Sequence, residues 1–283
     1  MIKIVSDSST LYSIDEAKKN NIDITPLSVT INHVTYKEYE EIHTEEFIDI
    51  INQGHVPVSS QPSIGEVIDL YNRYPEAEII NISMADGLSG TYSTACMAKG
   101  MVDHSDRIEV INSRTLCGPH RYLVDVAEKL VEAGKTKDEI VKELNELMDT
   151  SNSYLIPNDF EYLVRGGRLS PLVGRIGGII KLVPVMTLSE DCTRLEKFTT
   201  KRTLGKALEK ICEDMVAAGV DSSYKIYIAH ACKEELAKSA QNNIIKNIEN
   251  ADIEIKKLGP VFTTQGGPGC IAIQYIKKHD ILR

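Results

Sequence analysis

Five short stretches of this chain carry residue types that can bind or react. Ser6-Asp7-Ser8-Ser9 follows the first β-rich run. In an open α/β sheet, ligands gather at the carboxyl ends of strands. The same residues also make an ordinary hydrogen-bonded turn, and from position alone the turn is favoured. Ser59-Ser60-Gln61-Pro62-Ser63 precedes a helical pattern. Its hydroxyls and amides face a helix start, where an anion is stabilised. Capping accounts for Ser63 but gives Ser59 and Ser60 no task. Asp86-Gly87-Leu88-Ser89-Gly90-Thr91 joins a strand to a helix. A hydrolase elbow needs Gly-x-Ser-x-Gly, and here the second glycine comes one residue early. A Ser89 nucleophile would need a base such as His120 or His230.

Arg165-Gly166-Gly167-Arg168-Leu169-Ser170-Pro171 pairs two glycines with two arginines. It is only loosely a phosphate loop, since both GxxxxGK[ST] and GxGxxG are absent. Pro171 after Ser170 marks a helix start. The small and aliphatic residues of 172–180 suit an apolar channel or close helix packing. Thr263-Thr264-Gln265-Gly266-Gly267-Pro268-Gly269 is a glycine-rich turn. It permits close backbone approach to a ligand, or simply a tight loop between strand and helix.

The elements that must hold these stretches alternate. Strands are expected at residues 2–5, 24–31, 78–83 and 107–112, with helices between them. Ser13 with Glu16, Ser63 with Glu66 and Thr136 with Glu139 form capping-box signatures, and Thr44 caps a further helix through Ile50 and Ile51. The helix after Ser89 is expected to reach Met101. This alternation predicts a mainly parallel sheet covered by helices. A polar boundary at 149–153 divides the chain into units of 1–150 and 151–283. The second unit orders its elements differently: a strand at 154–156, a short helix with Glu161-Tyr162-Leu163, and strand-like runs at 182–188 and 194–199. A strand at 224–229 and another at 253–258 complete a mixed sheet.

Composition excludes several functions. The chain has 283 residues, 42% hydrophobic and 26% charged, with a net charge of −9. It is not a disordered, collagen-like or coiled-coil chain. The negative balance opposes general binding to nucleic acid or anionic membrane. No apolar run approaches the roughly 18 residues of a membrane helix. The first residues read as a strand and not as a signal peptide, so the cytosol is expected. Six cysteines are far apart with no CxxC pair, which speaks for reduced, mostly buried thiols and against a zinc site. Only 16 aromatics are present, all Tyr or Phe, which is little surface for stacking bases. Residues 165–210 carry a local charge of +6, a surface for a phosphate or an acidic partner, or a plain solvated face.

In their order and spacing these stretches resemble the DegV family, which is similar in sequence to the fatty-acid-binding subunits of bacterial fatty acid kinase. The resemblance runs from Ser6-Asp7-Ser8-Ser9 through Glu161-Tyr162-Leu163-Val164-Arg165-Gly166-Gly167-Arg168-Leu169-Ser170 to Gly267-Pro268-Gly269. It implies two α/β domains enclosing a long-chain fatty acid at their interface. It also implies a carboxylate held by Ser59, where the family usually has Thr, and by Ser89. The family commonly has His where this chain has Gln265, which can donate a hydrogen bond but cannot carry a proton. Ser60, Thr91 and Gly267 fall near the head group. Arg202, with Lys201, matches a basic position on the partner-facing surface, and Arg168 belongs to the same docking or phosphate role.

The resemblance further implies a cytoplasmic lipid-binding subunit without a catalytic centre, cofactor or metal of its own. A separate ATP-dependent kinase subunit would phosphorylate the bound acid for phospholipid metabolism. A Ser-dependent lipid hydrolase and a binder of some other apolar anion are the alternatives. The stretch Ser113-Arg114-Thr115-Leu116-Cys117-Gly118-Pro119-His120 departs from the usual family sequence.

Overall fold

A computed structural model describes residues 1–170 and 182–282. The expected helix start at Pro171 and the residues 172–180 lie outside the described residues. Four strands form a parallel sheet in the order β2-β1-β6-β7: β1 (Ile2–Asp7), β2 (Ile22–Thr25), β6 (Glu78–Ser83) and β7 (Ile108–Asn112). β1 (Ile-Lys-Ile-Val-Ser-Asp) and β6 (Glu-Ile-Ile-Asn-Ile-Ser) are buried almost end to end, polar residues included, as strands inside a parallel sheet covered on both faces are. A three-stranded antiparallel sheet, β4-β3-β5, stands beside it, made of β3 (Ser28–Ile31), β4 (Val34–Lys37) and β5 (Val58–Ser60).

A six-stranded mixed sheet, β10-β9-β8-β13-β11-β12, takes its strands from the second half. These are β8 (Asn152–Ile156), β9 (Val183–Leu188), β10 (Leu195–Lys201), β11 (Tyr224–His230), β12 (Asp252–Lys257) and β13 (Ile271–Lys277). Among the described residues only β11 and β12 of this sheet pair in parallel. The chain is thus α/β, with a parallel sheet in the first half and a mixed one in the second.

Ten helices cover these sheets among the described residues: α1 (Ile14–Lys19), α2 (Thr44–Asn52), α3 (Ile64–Asn72), α4 (Thr91–Lys99), α5 (Cys117–Glu132), α6 (Lys137–Met148), α7 (Phe160–Gly166), α8 (Leu204–Ala217), α9 (Glu234–Asn247) and α10 (Pro260–Gly266). The caps of α3 and α6 are complete capping boxes. Ser13 caps α1 through Glu16 N, while the Glu16 carboxylate instead pairs with Arg121. No helix among the described residues is long and apolar enough to cross a membrane.

α5 is the keystone. Its buried residues Leu123, Val126 and Ala127 share one apolar cluster with Ile4 and Ile80 of the parallel sheet and with Tyr227 and Ile276 of the mixed sheet. Gly118 in its first turn lies flush on Tyr227, where any Cβ would overlap the root of the ring. Gly118→Ala is therefore expected to cost about 1–3 kcal/mol by overpacking. A urea midpoint equal to that of the parent chain would refute this contact.

Several sequence expectations need correction. The run 24–31 is two strands, because Pro26 interrupts pairing and the chain turns from one sheet into another. β4 and β5 were not anticipated; short, half-exposed edge strands leave little alternation to read. Thr44 does not cap α2: His43 occupies the cap position, and the Thr44 hydroxyl donates to Leu258 O at 2.8 Å. α4 starts at Thr91 and ends at Lys99, two residues inside the expected range at each end. The glycine-rich turn after Gln265 leads out of a helix into β13, the reverse of the expected order. All six cysteines are free, but only Cys117, Cys212 and Cys270 are buried.

Candidate functional site

The site begins with a turn that works behind its wall. Asp7 accepts from Ser9 N at 2.9 Å and from Met84 N at 3.0 Å, tying the carboxyl ends of β1 and β6. Ser8 Oγ donates to Glu38 Oε1 at 2.5 Å and accepts from Leu27 N at 2.9 Å. Ser9 Oγ meets His120 Nδ1 at 2.8 Å. The first stretch is therefore a fully bonded turn, as its position favoured. It sets two wall residues, Leu27 and Met84.

That wall encloses a cavity between α10, β5, the 84–89 loop and strands β8, β9 and β13. The space open to the centre of a water molecule is ≈ 90 Å³. Leu27, Leu88, Leu116, Leu188, Leu195 and Val261 make most of it aliphatic. Among the described residues polar groups come from a few places. Ser59, Ser60, Gln61, Ser89, Gln265 and Arg168 line it, and Cys117, Ser153 and Gln274 add a further set. Gln274 is fully engaged, accepting from Gly118 N and donating to Leu116 O and to Ser153 Oγ.

Ser59 lies on β5 opposite Val29, and its hydroxyl accepts from Gln265 Nε2 at 2.9 Å. The Ser63 capping box frees Ser59 for this role. Gln265 Oε1 is buried without a hydrogen-bond partner among the described residues and lies against Gly166, where a Cβ would push the amide aside. Ser89 sits in the loop before α4. Its Oγ pairs with Thr91 Oγ1 at 2.8 Å and accepts from Thr91 N at 3.3 Å. Gly87 needs its positive φ of 84° in this loop, and it packs directly on Thr193. Gly90 backs onto the Gln61 amide.

The structure brings Ser59, Ser60, Ser89, Gln265 and Arg168 to one cavity. Thr91 reaches it only through Ser89. Gly267 does not line it; with φ 80° it turns the chain against the Tyr162 ring. Lys201 and Arg202 are at the far end of β10 from Leu195, about 20 Å along the strand. Neither histidine considered as a base touches Ser89. His120 is buried between Ser6 Oγ, Ser9 Oγ and Ile82 O, and burial lowers its proton affinity. His230 accepts from Lys233 N.

Arg168 Nε donates to Leu88 O at 3.0 Å and its Nη1 to Gly166 O at 2.5 Å. Burial, together with the Arg194 charge, lowers its proton affinity. Among the described residues no cluster of His, Cys, Asp and Glu has a metal-holding arrangement.

A family model described as "Uncharacterised protein, DegV family" matches residues 1–278. This chain belongs to the DegV family. A DegV domain-containing protein of Staphylococcus aureus (strain N315) is 33% identical over 280 residues, covering 97% of this chain and 98% of its own. The crystal structure of DegV, a fatty acid binding protein from Bacillus subtilis, has a TM-score of 0.85 at 28% identity, covering 98% of this chain and 99% of that one. A fatty acid binding DegV family protein from Streptococcus agalactiae superimposes with a TM-score of 0.88 at 24% identity, over 99% of both chains, which establishes the fold.

Two features of this chain could not be read from the sequence. Glu38 lies in Lys37-Glu38-Tyr39-Glu40-Glu41, which reads as a solvated charge run. It is nevertheless fully buried, accepting from Ser8 Oγ and Val261 N, and burial pushes its carboxyl up to about 8. Arg194 is, in the sequence, one charge of the basic segment 165–210. It holds Gly87 O at 2.8 Å from across the molecule. The departing stretch 113–120 supplies Leu116 and Cys117 to the cavity wall.

Proposed function

We propose that this chain binds a long-chain fatty acid in the cavity and presents its carboxyl group to a separate ATP-dependent kinase subunit. The kinase would form an acyl phosphate for phospholipid synthesis, and this chain would contribute no catalytic centre. The observation that carries the binding is the cavity itself: an aliphatic enclosure with a small set of convergent hydroxyls and amides. Such a site suits a ligand with one polar end. A buried carboxyl must be hydrogen-bonded or neutral, which gives Ser59, Ser89 and Gln265 their role. Ser60 and Thr91 support them.

The magnitudes agree. A 16-carbon acid buries about 14 methylenes at roughly 0.8 kcal/mol each, a gross gain of about 11 kcal/mol. Association entropy offsets several kcal/mol of this. Fatty acid binding by the Bacillus subtilis relative supports the same ligand class. In this reading residues 1–150 and 151–283 act as two units in the cytoplasm. Arg202, exposed at the end of β10, faces the kinase with Lys201 beside it.

The test is direct. Protein purified from bacteria is denatured, extracted with solvent, and its lipids identified by mass spectrometry. Near-stoichiometric free fatty acid is expected. An empty extract, with no binding of added fatty acid, would overturn the reading. Adding the kinase subunit and ATP then asks whether the bound acid is phosphorylated, and Arg202→Glu is expected to abolish that step. Retained phosphorylation in that variant would refute the docking role of Arg202.

A further inference from the structure

The mixed sheet walls the cavity through β8 and β13. Tyr154, Ile271 and Ile273 point into the core beyond the sheet, which leaves Ser153, Leu155, Ala272 and Gln274 on the cavity face. These four make two rungs, with Ala272 opposite Leu155 and Gln274 opposite Ser153. The first rung is apolar and adjoins the head-group end, because Leu155 packs against Gly266, next to Gln265. The second lies two residues further along each strand, about 7 Å away, and it is polar. A plain acyl chain gains nothing from a polar wall at that depth.

Gln274 has a structural duty that accounts for it. It accepts from Gly118 N at 3.2 Å and donates to Leu116 O at 2.9 Å, fixing the start of α5. It also donates to Ser153 Oγ at 2.8 Å. Ser153 has no such duty. Its oxygen receives the amide N–H, so its own proton must point away from Gln274. Among the described residues no acceptor meets that proton, although Ser153 is buried in the cavity wall. A buried hydroxyl donor left unused costs free energy. Cys117 stands in the same wall between Leu116 and Gly118, and burial keeps its thiol protonated. These groups carry no charge, so they suit a neutral oxygen and not a second anion.

We propose that Ser153, held in place by Gln274, is a subsite for a hydroxyl group on the middle of an acyl chain. The ligand class is a long-chain fatty acid hydroxylated in mid-chain, with its carboxyl group at Ser59, Ser89 and Gln265. This inference rests on the fatty-acid reading above and deepens it. Ser153 donates its free proton to the ligand oxygen, and the chain passes the Leu155–Ala272 rung to reach it.

Displacement of a fluorescent fatty acid from the full chain by octadecanoate, 10-hydroxyoctadecanoate and 2-hydroxyoctadecanoate tests this. The readout is the affinity of each hydroxy acid relative to octadecanoate, which cancels any general change in the cavity. In the parent chain the 10-hydroxy acid should bind within about threefold of octadecanoate, because its hydroxyl keeps a partner on burial. In Ser153→Ala that ratio should fall about five- to twentyfold, because the ligand hydroxyl is stranded. Ser153→Thr keeps a hydroxyl and should restore the ratio. The 2-hydroxy acid carries its hydroxyl beside the carboxyl group, so its ratio should be the same in all three proteins. An unchanged ratio for the 10-hydroxy acid in Ser153→Ala, an equal fall for both hydroxy acids, or no rescue by Ser153→Thr would overturn the subsite. Failure of the parent chain to bind octadecanoate would instead overturn the fatty-acid reading.

Discussion

Replacing Ser59 and Ser89 together with alanine is expected to weaken long-chain fatty acid binding by about 10²- to 10⁴-fold. Each hydroxyl bonded to a carboxylate contributes roughly 1.5–3 kcal/mol. At Ser59 a second effect adds to the first. Its oxygen is the acceptor for Gln265 Nε2, so alanine there strands the amide as well. At Ser89 the hydroxyl is oriented by Thr91, so the group is pre-set before the ligand arrives. Ser59→Thr keeps a hydroxyl and should hold affinity within a few-fold. Titration with a fluorescent fatty acid, and its displacement by the natural one, measures the parent chain and both variants. A loss below about threefold in the double variant, with unchanged circular dichroism, would place the head group elsewhere.

The second large effect is on stability. Glu38 is completely buried and its carboxyl sits at about 8 in the folded chain, against roughly 4.3 when unfolded. Below the unfolded value both states hold the proton, and the contribution of the neutral carboxyl is fully present. Between about 4.3 and 8 the unfolded chain releases its proton while the folded chain keeps it. Stability therefore falls as pH rises through this window, by a few kcal/mol and on the order of 5 at most. Above the folded value no further loss follows. Glu38→Gln removes the ionisation and keeps an acceptor for Val261 N. The difference in unfolding free energy between the two proteins, followed by urea from pH 5 to 9, should grow in favour of the variant up to about pH 8 and then level off. Parallel profiles would refute a neutral Glu38.

These two expectations also mark what the sequence made legible. Ser59 was conspicuous because the Ser63–Glu66 box explained its neighbour and left it over. Ser89 was conspicuous because a serine in a strand-to-helix turn stands where a nucleophile elbow or an anion site would place one. The parallel sheet could be read from the alternation of β-rich runs and helical patterns in the first half. Glu38 could not be read, because its burial comes from Ser8 and Val261, 30 positions before it and 223 after. Nothing local in a run of charges announces such partners. The split between β2 and β3 hung on Pro26 alone, and the edge strands β4 and β5 carried too few residues for a period to show. Gln265 was visible as a substitution in a family pattern. That its amide would reach Ser59 was a matter of tertiary placement.

β13, the last strand in chain order, is also an inner strand of its sheet, seated between β8 and β11. The same strand places Ile276 in the cluster under α5. During synthesis at a ribosome, β8 and β11 must therefore wait with open edges until residues 271–277 have left the exit tunnel. At about 5–20 residues per second, the interval from residue 230 to residue 277 lasts a few seconds. Through that interval the unpaired backbone of β11 and the apolar face of α5 are exposed to chaperones and to neighbouring nascent chains. The order of strands in the sheet thus sets when, and not only how, this chain becomes safe from aggregation.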